Sequence, residues 1–480
     1  MKTNTLDFDA QALREKILDL AMHGKLVPQD PNDEPASVLL EKIKAEKEQL
    51  IKEKKIKKSK PLAPITDDEK PFDIPDSWEW VRLGDVGLLK NGKTPKKEDI
   101  SSDNIYPYFK VKDMNNNNLY MENVKNWVGE KYSRQVMPKN TIIFPKNGGA
   151  ILTAKKRILS QDSLVDLNTG GLIPYNDLNH KFIFYLFLSL DIKDFVKGSA
   201  VPTINSKKLK ETLVPLPPLE EQSRIAAKIA QLFALLRKVE SSTQQYAKLQ
   251  TLLKSKVLDL AMRGKLVEQD PHDEPASVLL EKIKAEKRKM IKEKEIKKSK
   301  PLPPITDEEK PFDIPDSWEW VRLGNIAKRI TDGTHNPPPN SHEGKQVISA
   351  INIKKGKIDF SLSNRFVSED QFLKEDKRTN IRKGDVLLTI VGSLGNAAVV
   401  DTDKLFTAQR SVAVISSNIL SKFLYYVLIS AMFKTQIFAN AKGTTQKGIY
   451  LSKLINLKLP LPPLAEQNRI VAKIDNLFIY

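Results

Sequence analysis

The side chains of this chain that are equipped for chemistry are equipped to hold a ligand, not to transform one. There is no cysteine, which removes thiol nucleophiles, disulfides and cysteine zinc sites. None of the five histidines is paired at metal-binding spacing, no Gly-x-x-x-x-Gly-Lys-Ser/Thr loop is present, and no Gly-rich fingerprint follows a strand-like run. What remains is a set of basic and amide-rich turns. In the first half they carry Lys90, Lys93, Thr94 and Lys96 (KNGKTPKK), Lys146 and Asn147 (PKNGG), and Lys155, Lys156 and Arg157. In the second half they carry Thr331, Asp332, Thr334 and His335 (TDGTH), Ser393 (VGSLGN), Gln409 and Arg410, and Lys442, Thr444, Gln446 and Lys447 (KGTTQK). Lysine and arginine neutralise phosphates, while amides, hydroxyls and carboxylates hydrogen-bond to base edges. These residues are the candidate DNA contacts; no catalytic residue, metal ligand or cofactor site is assigned.

One string invites a different reading. Asn336-Pro337-Pro338-Pro339 is close to the Asn-Pro-Pro-aromatic motif of adenine methyltransferases, but it lacks the aromatic that would stack on a flipped base. No S-adenosylmethionine fingerprint precedes it, so it reads as a proline-rich loop. The net charge of +18 is concentrated: the tracts 41–60 and 281–300 supply 11 of it, as lysine-rich helix faces able to meet phosphates or an acidic partner. No apolar run approaches the ~18 residues that span a bilayer. The first residues, MKTNTLDFDAQ, lack the apolar centre of a signal peptide, which points to a cytoplasmic protein with no membrane partner.

The elements that must position these turns are duplicated. Residues 16–84 return at 256–324, with 59 of 69 positions identical, and PLPPLEEQSRIAAKIAQLF at 215–233 returns as PLPPLAEQNRIVAKIDNLF at 460–478. The stretches between, 85–214 and 325–459, are unlike each other, so one framework holds two modules with the same task and different targets. The division expected is an N-terminal helical region and linker (1–76), a first recognition domain (77–214), a central region of long helix, helical hairpin and linker (215–316), a second recognition domain (317–459) and a C-terminal helix (460–480) that breaks off early. Each variable module reads as α/β. Strand-like runs fall at 346–353, 385–391, 397–400 and 411–415, and apolar helices at 182–190 and 423–433. Four of the five tryptophans lie in the two copies of SWEWVRLG and read as packing anchors at the junctions.

Between Leu219 and Met262 there is neither proline nor glycine, and Ile225, Ile229, Leu232, Leu236, Val239, Tyr246, Leu253, Val257 and Leu260, with Thr243 and Gln250, keep alternating four-three spacing. This predicts a coiled-coil seam on a helix of roughly 60–65 Å at 1.5 Å per residue, capped by Gly264. Leu13, Ile17 and Leu20 from the start, and Ile470, Ile474 and Leu477 from the end, match its two ends. They are expected to lie antiparallel to it and complete a cyclic pseudo-twofold. The middle, about Val239 to Tyr246, is left uncovered.

Constant helix, variable domain, PLPPLEEQ helix, variable domain, PLPPLAEQ helix: this order resembles the specificity subunit of Type I restriction-modification systems over essentially the whole chain. PDSWEWVRLG is similar to the family's lead into a recognition domain. NGKTP (91–95) and ITDGTH (330–335) are similar to its openings, and TIIFPKNGGAILTAKKRIL (141–159) and GDVLLTIVGSLGNAAVV (384–400) to its mid-domain segments. The resemblance implies two recognition domains, each reading half of a bipartite, asymmetric site in double-stranded DNA, set apart by antiparallel coiled-coil helices that dock two methylation subunits. Adenine methylation and ATP-driven cleavage, with S-adenosylmethionine, ATP and Mg, would belong to methylation and restriction subunits. The alternatives are a self-contained DNA methyltransferase and a coiled-coil scaffold for acidic protein partners.

Overall fold

A computed structural model describes residues 8–56, 58, 62, 64–198, 202–296, 298, 300–335, 339–354, 356–443 and 447–478. The chain forms two compact units, Thr5–Thr243 and Gln244–Tyr480. The helix Leu219–Met262, 44 residues without a break, gives its first part to one unit and its last part to the other. The absence of proline and glycine permits this length, and Gly264, at φ +66°, ends it in the left-handed conformation that a side chain disfavours.

In the first unit, helix Ala10–Met22 starts at Asp9, whose carboxylate accepts the Ala12 N–H. It buries Leu18, Ala21 and Met22 in one core with Ile225, Ile229 and Phe233 of the long helix. The two run antiparallel, because Arg14 pairs with Glu240 while Gln29 and Asp33, further along the chain, reach Glu221 and Arg224. Helix Ala36–Lys52 follows, with Leu39 and Ile43 turned inward, Lys42, Lys44 and Lys52 outward, and Lys47 half-buried beside Asp85. The chain then enters the recognition domain on strand Glu79–Arg82 and leaves it on Leu213–Leu216, and these two strands pair antiparallel. They form a neck. Arg82 is buried there, its guanidinium held by the Glu211 and Pro64 carbonyls and by Glu69.

The domain beyond the neck is built on a five-stranded sheet ordered Gly87–Asn91, Thr169–Pro174, Ile142–Pro145, Arg157–Leu159, Tyr120–Met121. A separate three-stranded sheet has Tyr106–Phe109 at its centre, and helix His180–Ser189 supplies Phe182, Ile183, Leu186 and Phe187 to the main core.

The second unit repeats this plan. Strands Glu319–Arg322 and Lys458–Leu461 make the neck, and a four-stranded sheet runs Ala327–Asp332, Val412–Ser417, Val386–Thr389, Ala397–Val399. The last helix, Leu464–Phe478, packs Ile470 and Ile474 with Val257, Leu258 and Ala261 of the long helix. That pairing is also antiparallel, with Lys254 over the Phe478 ring while Gln269 bonds to Glu466.

Two sequence expectations need correction and a third needs its extent enlarged. The apolar run 423–433 is not one helix but two, Ser421–Ile429 and Ala431–Asn440. Ser430 is extended between them, and its hydroxyl caps the second by accepting the Phe433 N–H. The run 346–353 stays a strand only to Ile348, because Asn352 folds back on Ser349 and turns the chain. The coiled-coil seam is covered at its ends and open at its middle, as expected, but the open stretch runs on past Tyr246 to Leu253. Ile225, Ile229 and Val257 are buried and Leu232, Leu236 and Leu260 half-buried, whereas Val239 and Leu253 are 44% and 59% exposed. The buried stripe also takes in Phe233, Leu258 and Met262, off the four-three register, because the helix ends serve the recognition-domain cores as well as a helical partner. Leu13 and Leu477 are likewise exposed, at 43% and 39%.

Candidate nucleic-acid interface

Both recognition domains gather their candidate loops at the same end of equivalent sheets. In the first domain, strand Gly87–Asn91 points away from the neck, and its far end meets Gly170 while Pro145 meets Thr169. The turns beyond these ends are knitted together by main-chain bonds. Gly92 donates to Thr169, Lys93 to Val165 and Lys146 to Asn168, and the Asn147 amide donates to the Leu167 carbonyl at 2.9 Å. The Thr94 hydroxyl accepts the Leu167 N–H. Gly92 is obligatory here, because a Cβ would stand 2.0 Å from the Asp166 carbonyl oxygen. Lys93, Thr94 and Lys96 project as exposed side chains. Lys146 is half-buried, its ammonium pKa lowered by burial first and by Lys197 second. Lys197 thus joins this cationic rim, although nothing in its own sequence context marked it.

The remaining basic candidates of the first domain are engaged within the fold. Lys156 is buried, and its Nζ donates to the Leu190 carbonyl at 2.5 Å and the Leu188 carbonyl at 3.4 Å above the Phe187 ring. Burial pushes its pKa down to about 8, and it has no surface to offer a phosphate, which removes it from the candidate contacts. Arg157 is spent on the Asn117 and Lys156 carbonyls and Lys90 on those of Val136 and Arg134; burial lowers the pKa of both. Lys155 bonds to the Asn115 side chain.

In the second domain the corresponding sheet end brings together two pairs of loops that are distant in sequence. Thr334 N–H donates to the Ala408 carbonyl and Arg410 N–H to the Thr334 carbonyl, which seats the Thr331–His335 segment against Gln409 and Arg410. Gly333 permits this closeness: a Cβ would fall 1.9 Å from the Ala408 oxygen. Asp332 is buried and works inward. One oxygen takes His335 Nε2 at 2.7 Å and the other takes Arg378, so the carboxylate orients an imidazole and a guanidinium at the rim instead of reading a base itself. Sequence reasoning missed Arg378, which lies on the helix Glu369–Thr379, 46 positions from its partner.

The second pair joins Gly392 N–H to the Lys447 carbonyl, with Lys442 and Gly448 exchanging both main-chain bonds at 2.8 Å. Ser393 is held through its carbonyl, which accepts the Thr389 hydroxyl. The Ile390 N–H to Ser411 carbonyl bond, 2.9 Å, ties this pair to the first. Thr444 and Gln446 lie outside the described residues. Beside Gln409 runs a cleft of about 540 Å³ lined by Asn340 and Asn364, amides of the kind that read base edges, and by the apolar Ile351 and Leu362.

Among the described residues no cluster of His, Cys, Asp or Glu is placed to hold a metal ion, and no helix is long and apolar enough to cross a membrane.

Comparison with known proteins agrees with this duplicated plan. The model of the Type I restriction modification DNA specificity domain matches twice, at residues 75–250 and 315–479. The specificity subunits of the Type I restriction enzymes EcoAI and EcoEI, both of Escherichia coli, are each 31% identical to the chain over 98% of its length and 89% of theirs. A solved chain from work on complex assembly and conformational transition of the type I R-M system has the same fold, with a TM-score of 0.55 at 20% identity, covering 85% of this chain and 91% of that one. Family membership sets aside a self-contained methyltransferase: specificity subunits are the non-catalytic, DNA-recognising components. The chain belongs to the Type I restriction-modification DNA specificity family.

Proposed function

We propose that each recognition domain reads one half of a bipartite, asymmetric site in double-stranded DNA with the loop end of its sheet. The observation that carries this is the pairing of like scaffolds with unlike loops: equivalent sheets present KNGKTPKK and PKNGG in one domain, and TDGTH, Gln409-Arg410 and the residues Lys442 and Lys447 in the other, at the end remote from the neck. Lys93, Thr94, Lys96, Lys146 and Asn147 serve one half-site, and Thr334, His335, Ser393, Gln409, Arg410, Lys442, Thr444, Gln446 and Lys447 the other. Exposed lysines supply affinity through phosphates, and amides and arginine supply sequence choice.

The helices of the framework dock two methylation subunits, and restriction subunits join for cleavage in the cytoplasm. S-adenosylmethionine, ATP and Mg belong to those partners. Selection of duplexes from a random library by the full chain with its methylation subunits tests the reading. Two short conserved blocks at a fixed separation are expected; one contiguous block, or no preference, contradicts it.

A further inference from the structure

The duplicated PLPPLEEQ and PLPPLAEQ segments carry more than a helix start. In the first unit Glu221, in the opening turn of the long helix, is 1% exposed and takes two hydrogen bonds, from Trp78 Nε1 at 2.8 Å and from Gln29 Nε2 at 2.6 Å. The next residue, Gln222, is fully buried. Its amide donates to the Pro217 carbonyl at 3.0 Å, and its oxygen accepts the main-chain N–H of Asn179 at 3.1 Å, at the start of recognition-domain helix His180–Ser189. One turn on, Arg224 grips Asp33 with both guanidinium nitrogens, at 3.0 and 2.5 Å.

The second unit has the same joint. Trp318 and Gln269 donate to Glu466 at 2.7 and 2.5 Å, Gln467 spans the Pro462 carbonyl and the Leu420 N–H at 3.0 and 3.2 Å, and Arg469 grips Asp273. Leu420 belongs to the unlike module, yet it meets the glutamine through its main chain, just as Asn179 does. The glutamine link itself takes only main chain from the variable module, so it survives a change of module side chains while fixing the pose.

We propose that the paired residues Glu221-Gln222 and Glu466-Gln467 are positioning residues that lock each recognition domain to its helix, and thereby set the distance at which two half-sites are accepted. This rests on the bipartite reading above. Buried hydrogen bonds in three directions leave the domain no alternative pose of similar energy, because tilting it would strand the carboxylate and the amide without partners. A free hinge would let one domain follow its half-site over a range of separations; this joint forbids that.

The test uses the full chain with its methylation subunits and duplexes in which the separation of the selected half-sites is varied one base pair at a time. Trp78→Phe combined with Gln222→Met removes both links while keeping an aromatic ring at 78 and the side-chain length at 222; Trp78→Phe alone serves if the double variant does not fold. The wild type is expected to lose about tenfold in affinity or more for each base pair of wrong spacing, in line with the cost of a mismatched position. The variant is expected to lose at most about a third of that factor, with unchanged base preferences inside each half-site. A uniform loss at all spacings marks a merely structural role and overturns the proposal, as does a spacing profile like the wild type's. A wild type with no spacing preference at all would sink the bipartite reading, a result separable from failure of the joint.

Discussion

Trp78 and Glu221, 143 positions apart, are joined by a 2.8 Å hydrogen bond from the indole N–H to the buried carboxylate. Trp318 and Glu466 repeat it at 2.7 Å. In both copies burial holds the glutamate pKa above its ordinary value of 4.5, against the opposing pull of the tryptophan and glutamine donors. An acid with a raised folded pKa binds its proton more tightly in the native state. The stability of each joint is therefore fully present below the unfolded pKa and falls as pH rises through the raised one. Glu221→Gln and Glu466→Gln variants are expected to show a flatter dependence of unfolding free energy on pH across that interval. An unchanged slope would mean that neither carboxylate is desolvated as described.

The turns after the two helices flanking each joint require glycine. Gly24 and Gly264 have φ +68° and +66°, and a Cβ would lie 2.5 and 2.4 Å from the Cγ atoms of Pro75 and Pro315. Alanine at either position is expected to cost about 1–3 kcal/mol from backbone strain alone, more with the proline displaced, as read by chemical denaturation. Equal costs at the two sites are expected, because the surroundings repeat.

Lys156 separates structural from DNA-binding lysines. Its folded pKa of about 8 lies below the ordinary 10.5, so between these values the unfolded chain holds a proton that the folded one has released. Stability from this site is lowest below pH 8 and rises with pH toward 10.5. Lys156→Met is expected to abolish that rise, worth up to about 3 kcal/mol at 1.36 kcal/mol per pKa unit, and to leave DNA affinity as in the wild type. A loss of DNA affinity in a folded Lys156→Met protein would return the residue to the interface.

At the loop ends the expected effects differ by chemistry. Lys93→Ala and Lys447→Ala should weaken binding to every duplex and reduce the slope of log affinity against log salt by about 1 each. Gln409→Ala and Arg410→Ala should relax preference at single base positions, at about 1–3 kcal/mol each. Competition binding at several salt concentrations distinguishes the two patterns, and their exchange between the residue classes would contradict the assignment.

Much of this architecture is legible in the sequence because duplication exposes it. The repeated blocks mark the framework, the proline- and glycine-free stretch marks the long helix, and the tryptophans mark the junctions. What was illegible depended on contacts made at a distance. The Lys155-Lys156-Arg157 run looks like a surface patch, and only the fold shows that Leu188 and Leu190 carbonyls claim the middle residue. Ser430 breaks an apolar run that has no proline or glycine to announce a break. The open middle of the seam was legible at Val239, but its extension to Leu253 was not, because spacing records what a helix face offers and not what covers it. Arg378 gave no signal, since its role exists only where its helix meets Asp332.

The central claim is that the two recognition domains read DNA independently on one framework. Replacing residues 325–459 with the corresponding module of another family member, and selecting duplexes from a random library with the resulting full chain and its methylation subunits, tests it most directly. The account predicts that one half of the selected site changes while the other half keeps its wild-type sequence. A change in both halves, or in neither, would contradict it.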